Sequence, residues 1–405
     1  MDTRPVEEGS AGTVAIHSTD PWAALSARLG VLQILPNMGV SGPARAAVDV
    51  AAAVAAAGGR AVVVSAGGPL VGDLLRCGAI HVNETLTGEG AYGRWANFRK
   101  LTRLIRQHKI SIVHVRVPTS ALLARRAADA MGCFFVATCH GMHETDGAAA
   151  QKGGDVLAQA HRVIAVSHTV ARHLSAHYPM SGRLTVVPPG IDLQRFDPAR
   201  VTAERMVDLA QHWRLPDGPP VVLLPGRLAR SRGQKALIEA MALLKDRDMH
   251  CVMAGEEDGS TGYAQELTRL AELHGLETRL LLGDGCRDMP AAYMLADVVV
   301  YARADASGFA RVVAEAQAMG RPIVAYDCPL LREQVGDGRM TWLVPPHDHA
   351  ALAQAVAEAL DLSVAERKAL APEAIAVARR NYNRAHSASA MIEIFLGLLA
   401  EAQAA

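Results

Sequence analysis

Residues 221–244 read VVLLPGRLARSRGQKALIEAMALL. Five apolar residues from Val221 to Pro225 run into a turn bounded by Gly226 and Gly233, and Leu237, Ile238, Met241 and Leu244 then recur at helical spacing. A run so short and so uniformly apolar is the pattern of a strand covered on both faces, as in a parallel sheet flanked by helices. Residues 31–57, VLQILPNMGVSGPARAAVDVAAAVAAA, repeat the plan: strand, glycine-bearing turn, helix. One chain thus starts the same α/β rhythm twice.

Outward from these two starts the rhythm continues. In the first half, apolar runs follow at Ala61–Ser65, Ile110–Val115, Phe134–Thr138, Arg162–Val166 and Val186–Val187. In the second they follow at His250–Ala254, Leu280–Leu282, Val298–Tyr301, Pro322–Ala325 and Trp342–Val344. Strands spaced by helical patterns of this length predict βαβ units and mostly parallel sheets. Pro188, Pro189, Pro198, Pro216 and Gly218 interrupt the pattern and mark the junction. The expected organisation is a flexible tail over 1–28, a Rossmann-like domain over 29–205, a second over 206–382, and a C-terminal helix over 383–405 that returns to the first domain. The fold class is α/β, two doubly wound sheets facing each other across a cleft.

Composition fits this plan and excludes others. The 405 residues correspond to about 2.7 domains of ordinary size. Lys plus Arg and Asp plus Glu are both 41, so no broad basic face for a nucleic acid is expected, and an aromatic content of 4% argues against base-stacking platforms. The six cysteines form no CxxC pair and read as small reduced core residues. Residues 1–21 are polar and acidic rather than basic then apolar, which is not the pattern of a signal peptide. The expectation is a cytoplasmic protein. The helix carrying Arg94, Arg99, Lys100, Arg103 and Arg106 leaves room for peripheral contact with a membrane, although a solvated basic face reads the same way.

In doubly wound sheets ligands bind beyond the carboxyl ends of the strands, so the loops after strands hold the candidate chemistry. Gly39 and Gly42 follow the first strand and let backbone approach a ligand at a helix start. Gly226, Arg227, Arg230 and Arg232 follow the first strand of the second half, where guanidinium groups suit phosphate oxygens. Gly308 opens a helix, which would leave amides near Phe309 and Ala310 available, and Glu315 two turns on could accept two hydrogen bonds from a vicinal diol such as ribose. His140 follows another apolar strand and could donate to a substrate oxygen. Each of these loops alone also fits an ordinary turn. No HExxH, GxSxG or Walker sequence is present, and no metal site is expected.

In this order the motifs resemble the retaining glycosyltransferases of family 4, which have the GT-B fold. The specific stretch runs from Val312-Val313-Ala314-Glu315-Ala316-Gln317-Ala318-Met319-Gly320 to Arg321-Pro322-Ile323-Val324-Ala325. Leu224-Pro225-Gly226-Arg227-Leu228, Asp288-Met289-Pro290-Ala291-Ala292-Tyr293 and Val187-Pro188-Pro189-Gly190-Ile191-Asp192 support it. The resemblance implies a nucleotide-sugar donor held by the second domain, a glycan or lipid-linked acceptor held by the first, retention of anomeric configuration, and neither metal nor other cofactor. It suggests polysaccharide or lipopolysaccharide synthesis at the inner membrane.

The resemblance also assigns roles. Arg227 and Arg232 would hold the donor diphosphate, Arg232 standing where the family has lysine. Glu315 would hold the ribose. Gly39, Gly42, Gly226, Asp288, Met289, Gly308, Phe309 and Ala310 would complete the donor site. His140 would lie near the phosphate and sugar. Ser307 stands where the family has a glutamate that contacts the transferred sugar, and a hydroxyl cannot supply that charge. Two readings therefore stay open: a transferase, and a catalytically impaired GT-B protein that binds a nucleotide sugar or glycan as a scaffold or regulator.

Overall fold

The computed structural model describes residues 21–86, 90–117, 120–142, 155–256, 262–283, 285–304, 308–336 and 338–404. Two wholly parallel sheets form the framework. The first has β1 (Gly30–Ile34), β2 (Arg60–Ser65), β3 (Ile80–Asn83), β4 (Ile112–Val115), β5 (Phe134–Cys139), β6 (Arg162–Ala165) and β7 (Leu184–Val186) in the order β3-β2-β1-β4-β5-β6-β7. The second has β8 (Val221–Pro225), β9 (His250–Ala254), β10 (Leu280–Gly283), β11 (Val298–Tyr301), β12 (Ile323–Tyr326) and β13 (Thr341–Val344) in the order β10-β9-β8-β11-β12-β13. Each sheet carries an apolar core on both faces. In the first, Leu101, Ala124 and Val170 pack on one side and Ala47, Val54 and Leu74 on the other. The central strands β1, β4, β8 and β11 are buried along their whole length, which is why they read as unbroken apolar runs.

The strand orders locate the crevices. In the first sheet the order reverses between β1 and β4, where Ile34 pairs with Val115. In the second it reverses between β8 and β11, where Leu223 pairs with Val299. Helices leave opposite faces at such a point, and the gap beyond the strand ends is where a ligand fits.

Several details differ from the expectation. Among the described residues seven strands form the first sheet rather than six, because β3 is an edge strand with exposed ends and lacks an apolar run. Within the expected tail, residues 21–28 are helical and Leu25 is buried beside Leu29; residues 1–20 lie outside the described residues. The proline-rich junction holds a ten-residue helix, Ala203–His212, capped by Thr202. Ile191, Phe196 and Trp213 already belong to the second core, so the chain leaves the first domain earlier than residue 205.

The final helix, Arg384–Ala404, packs on helix Gly42–Ala56 of the first domain and buries Met391, Phe395, Leu396 and Leu398 there. Among the described residues it is the one helix long and apolar enough to cross a membrane. The chain therefore crosses between domains twice, and the crossings touch. Ile191 pairs with Asn383, Ile191 N–H donates to the Tyr382 carbonyl, and Arg384 N–H returns a bond to Ile191. A Cβ on Gly190 would overlap the backbone of Arg384, so only glycine permits this approach.

Candidate functional site

Both reversal points carry predicted residues. Beyond β1, Ser41 caps helix Gly42–Ala56 by accepting from Ala44 N–H at 3.4 Å, and Asn37 Oδ1 accepts from Gly39 N–H at 3.0 Å. Gly42 faces open space: a Cβ there meets nothing within 4 Å. Beyond β8, Gly226 has φ +129° and Gly233 has φ +87°, a range L side chains rarely adopt. A Cβ on Gly233 would strike the Ala302 carbonyl after β11, and one on Gly255 would strike Gly226. Glycines thus let the loops after β8, β9 and β11 lie against one another. Gln234, fully buried, clamps the loop by donating to the Arg227 carbonyl at 2.9 Å.

The three arginines of this loop divide. Arg227 is exposed and Arg232 half-buried, close enough to Tyr301 at the end of β11 to act on its hydroxyl. Arg230 instead pairs with Glu266 at 2.6 Å, and its guanidinium lies 5.2 Å from the Tyr263 ring centroid. Lys235 binds the same carboxylate, so Arg230 belongs to a surface cluster with the helix Tyr263–Leu273.

Gly308 lies where the two domains meet. It forms an antiparallel bridge with Gly141, and a Cβ on it would overlap the His140 carbonyl oxygen. His140 from the end of β5 and the loop before helix Arg311–Ala318 are thereby brought together across the cleft. One expectation fails here. The Ala310 amide is occupied: its N–H donates to Gln334 Oε1 at 3.1 Å, and Gln334 Nε2 donates back to the Ala310 carbonyl at 2.7 Å. Phe309 packs on Tyr382 with ring centroids 5.3 Å apart. Ser307 and the neighbouring Asp305 lie outside the described residues.

Glu315 is half-buried and accepts from the Tyr293 hydroxyl at 2.9 Å. Burial raises its carboxyl above the usual carboxylate range, against the pull of Arg311, the Tyr293 bond, Arg45 and Arg195. A carboxylate kept in such surroundings is costly unless something polar uses it. Asp288 has structural partners: Arg205 binds it in bidentate fashion at 2.6 and 2.8 Å, and it caps the helix starting at Met289. Those bonds, the Arg205 one foremost, hold its carboxyl below the usual range. Met289 packs against the second core.

The structure adds residues that the motif reading did not single out. Arg116, at the end of β4, is 4% exposed and reaches both Gln33 and His140. A charged residue directly after an apolar strand was the available signal. Glu333 joins the domains by accepting from the backbone N–H groups of His168 and Thr169 and from the Thr169 hydroxyl, all at 2.6 Å. Among the described residues no three His, Cys, Asp or Glu side chains gather in a way that could hold a metal ion.

Two family models match this chain: glycosyltransferase family 4 over residues 40–195 and glycosyl transferases group 1 over residues 208–377. A D-inositol 3-phosphate glycosyltransferase of Xylanimonas cellulosilytica is 30% identical over 300 residues, covering 70% of this chain and 71% of that protein. The chain belongs to glycosyltransferase family 4. A D-inositol 3-phosphate glycosyltransferase of Salinispora tropica is 32% identical over 260 residues, and there the match spans 61% of this chain and only 53% of the relative. Two solved structures share the GT-B fold. A glycosyltransferase of Rickettsia africae superposes with a TM-score of 0.83 at 23% identity, over 92% of this chain and 98% of that one. Anabaena Alr3699/HepE, solved with UDP and glucose, gives 0.80 at 20%, over 90% and 99%. The two halves of this family-4 chain correspond to the two models, and the cleft between its sheets is bridged at Gly141 and Gly308.

Proposed function

We propose that this glycosyltransferase moves a hexosyl group from a nucleotide sugar to a glycan or lipid-linked acceptor, with retention of configuration and without a metal. The observation that carries the reading is the meeting of the His140–Gly141 backbone with Gly308, which sets the end of β5 against the segment leading to Glu315. Glu315 would take the ribose hydroxyls. Arg227, Arg232 and the first amides of helix Gln234–Ala242 would hold the diphosphate and stabilise the charge left on it when the sugar–phosphate bond breaks. The acceptor hydroxyl would attack from the face the phosphate leaves, and that phosphate would take its proton. Domain closure would keep water from the donor. Peripheral contact with a membrane fits helix Gly90–Gln107, where Tyr92 and Trp95 are exposed and Arg99 lies over the Trp95 ring.

Ser307 supports the second reading, a nucleotide-sugar or glycan scaffold with little turnover. One experiment separates the two. A panel of nucleotide sugars, UDP-glucose included because the HepE neighbour was solved with UDP and glucose, is scored by thermal shift and by donor hydrolysis. Acceptors are then added, D-inositol 3-phosphate among them because the curated relatives are named for it. The transferase reading expects stabilisation and turnover in the wild type, with loss of both in Arg227→Ala. Binding without turnover, together with gained turnover in Ser307→Glu, would establish the scaffold instead. No binding of any nucleotide would end both.

A further inference from the structure

We propose that Arg116 is a positioning residue for His140. It fixes the imidazole as the neutral tautomer with its proton on Nδ1. The inference rests on the transferase reading of the cleft.

Arg116 leaves β4 at the point where the strand order reverses. Its Nε and Nη2 both donate to Gln33 Oε1, at 3.2 and 3.0 Å, and Nη2 also reaches the Ala46 carbonyl at 3.3 Å. Gln33 is itself buried on β1 and donates from Nε2 to the Ala47 carbonyl at 2.9 Å, so its amide cannot turn over without losing that bond. The fork is therefore held on one side, and the remaining nitrogen, Nη1, stands 3.3 Å from His140 Nε2.

A guanidinium has only donors. It can meet Nε2 favourably only where Nε2 presents a lone pair, and a neutral imidazole with its lone pair on Nε2 carries its proton on Nδ1. The other tautomer, or the imidazolium, would set N–H against N–H inside a buried contact. Burial draws the Arg116 guanidinium down to about 9, opposed by Asp49, so it stays charged at neutral pH.

Other charged groups among the described residues stand near this ring. His114 on β4 is driven well below the usual histidine range by its burial, then by Arg116 and His140. Asp49, from helix Gly42–Ala56, and Arg384, from the final helix, pair at 3.7 Å and line the same cavity as Arg116 and His140. Burial raises the Asp49 carboxyl, against Arg384, Arg311, Arg116 and Arg45. From the second domain the chain passes His140 at Gly308, and Arg311 beyond it donates to the Gly190 carbonyl at 3.2 Å.

The test reads the tautomer directly. The full-length protein is labelled with [15N]histidine, and His140 is assigned by its loss in His140→Gln. The expected result is a protonated Nδ1 and an unprotonated Nε2 at neutral pH. In Arg116→Gln, whose side-chain amide can accept as well as donate, a proton should appear on His140 Nε2 as the pH falls. Donor hydrolysis in that variant should gain an acid limb over the same pH range, with kcat down ~10-fold or more and donor KM little changed. Arg116→Lys should keep the wild-type profile shape. A wild-type proton on Nε2, or an Arg116→Gln profile that superimposes on the wild type, overturns the proposal. If Arg116→Gln does not fold, the wild-type spectrum decides alone. A wild type without turnover in any donor would sink the transferase reading, while the tautomer measurement would still stand or fall by itself.

Discussion

Replacing Glu315 with glutamine should weaken nucleotide binding and strengthen the fold at once. The two effects come from the same carboxylate. Burial holds its pKa above the usual value despite three nearby arginines and the 2.9 Å Tyr293 bond, so the ionised form costs the folded state more than the unfolded one. For an acid with a raised folded pKa, stability is lost as pH rises through that pKa, and the uncharged amide escapes the loss. Tyr293 keeps an acceptor in the variant because the amide oxygen can take its hydroxyl proton. Thermal unfolding at neutral pH should therefore occur at equal or higher temperature. Affinity moves the other way. Two ribose hydroxyls bonded to a carboxylate rather than an amide differ by about 1–1.5 kcal/mol each, about 2–3 kcal/mol together, or ~30- to 150-fold in Kd. Calorimetric titration with the nucleoside diphosphate found in the panel, beside a melting curve, measures both. Wild-type affinity should also weaken on acidification from a higher pH than an ordinary glutamate would give. A variant that melts lower and binds the nucleotide as tightly as wild type would refute the assignment of Glu315 and the account of its burial together.

Other outcomes follow from the domain contacts. Gly308→Val places a side chain against the His140 carbonyl and must part the domains there; with neither core touched, melting should stay near wild type while kcat falls ~100-fold, as for an ångström-scale misplacement. Glu333→Gln removes the charge that caps helix His168–His177 from the other domain. Although burial works against the ionised carboxyl, the Thr169 hydroxyl and the His168 and Thr169 amides hold its pKa below the usual 4.5. Its contribution, about 1 kcal/mol, is complete above that ordinary value and lost as pH falls through the depressed one. The melting temperatures of wild type and Glu333→Gln should thus differ at pH 7 and converge in acid.

Much of this molecule was open to reading along the chain. The uninterrupted apolar runs of β1, β4, β8 and β11 are what full burial on two faces demands, so the two α/β units were legible from residues 31–57 and 221–244. The glycines at 226, 233 and 308 marked turns at strand ends and helix starts, and each has a close backbone approach or the left-handed backbone that glycine allows. What escaped was β3, whose edge position removes the need for apolar residues, and the use of individual amides and charges. Ala310 looked available at a helix start until Gln334, 24 residues on, was found to occupy both its polar atoms. Arg230 looked like its neighbours until Glu266 claimed it.

The sequence by itself determined the local alternation of strand and helix, the glycine turns at strand ends, and the family motif around Glu315. These depend on short-range periodicity and on conformations a few residues impose on themselves. Tertiary structure alone decided which strand ends became neighbours, that the final helix closes on the first domain, and that Arg116, Gln33 and His140 form one hydrogen-bonded chain. Those contacts join residues more than eighty positions apart in the case of Gln33 and Arg116, and they depend on the order in which parallel strands pack. No local pattern encodes that order; it is settled when both faces of each sheet find cover.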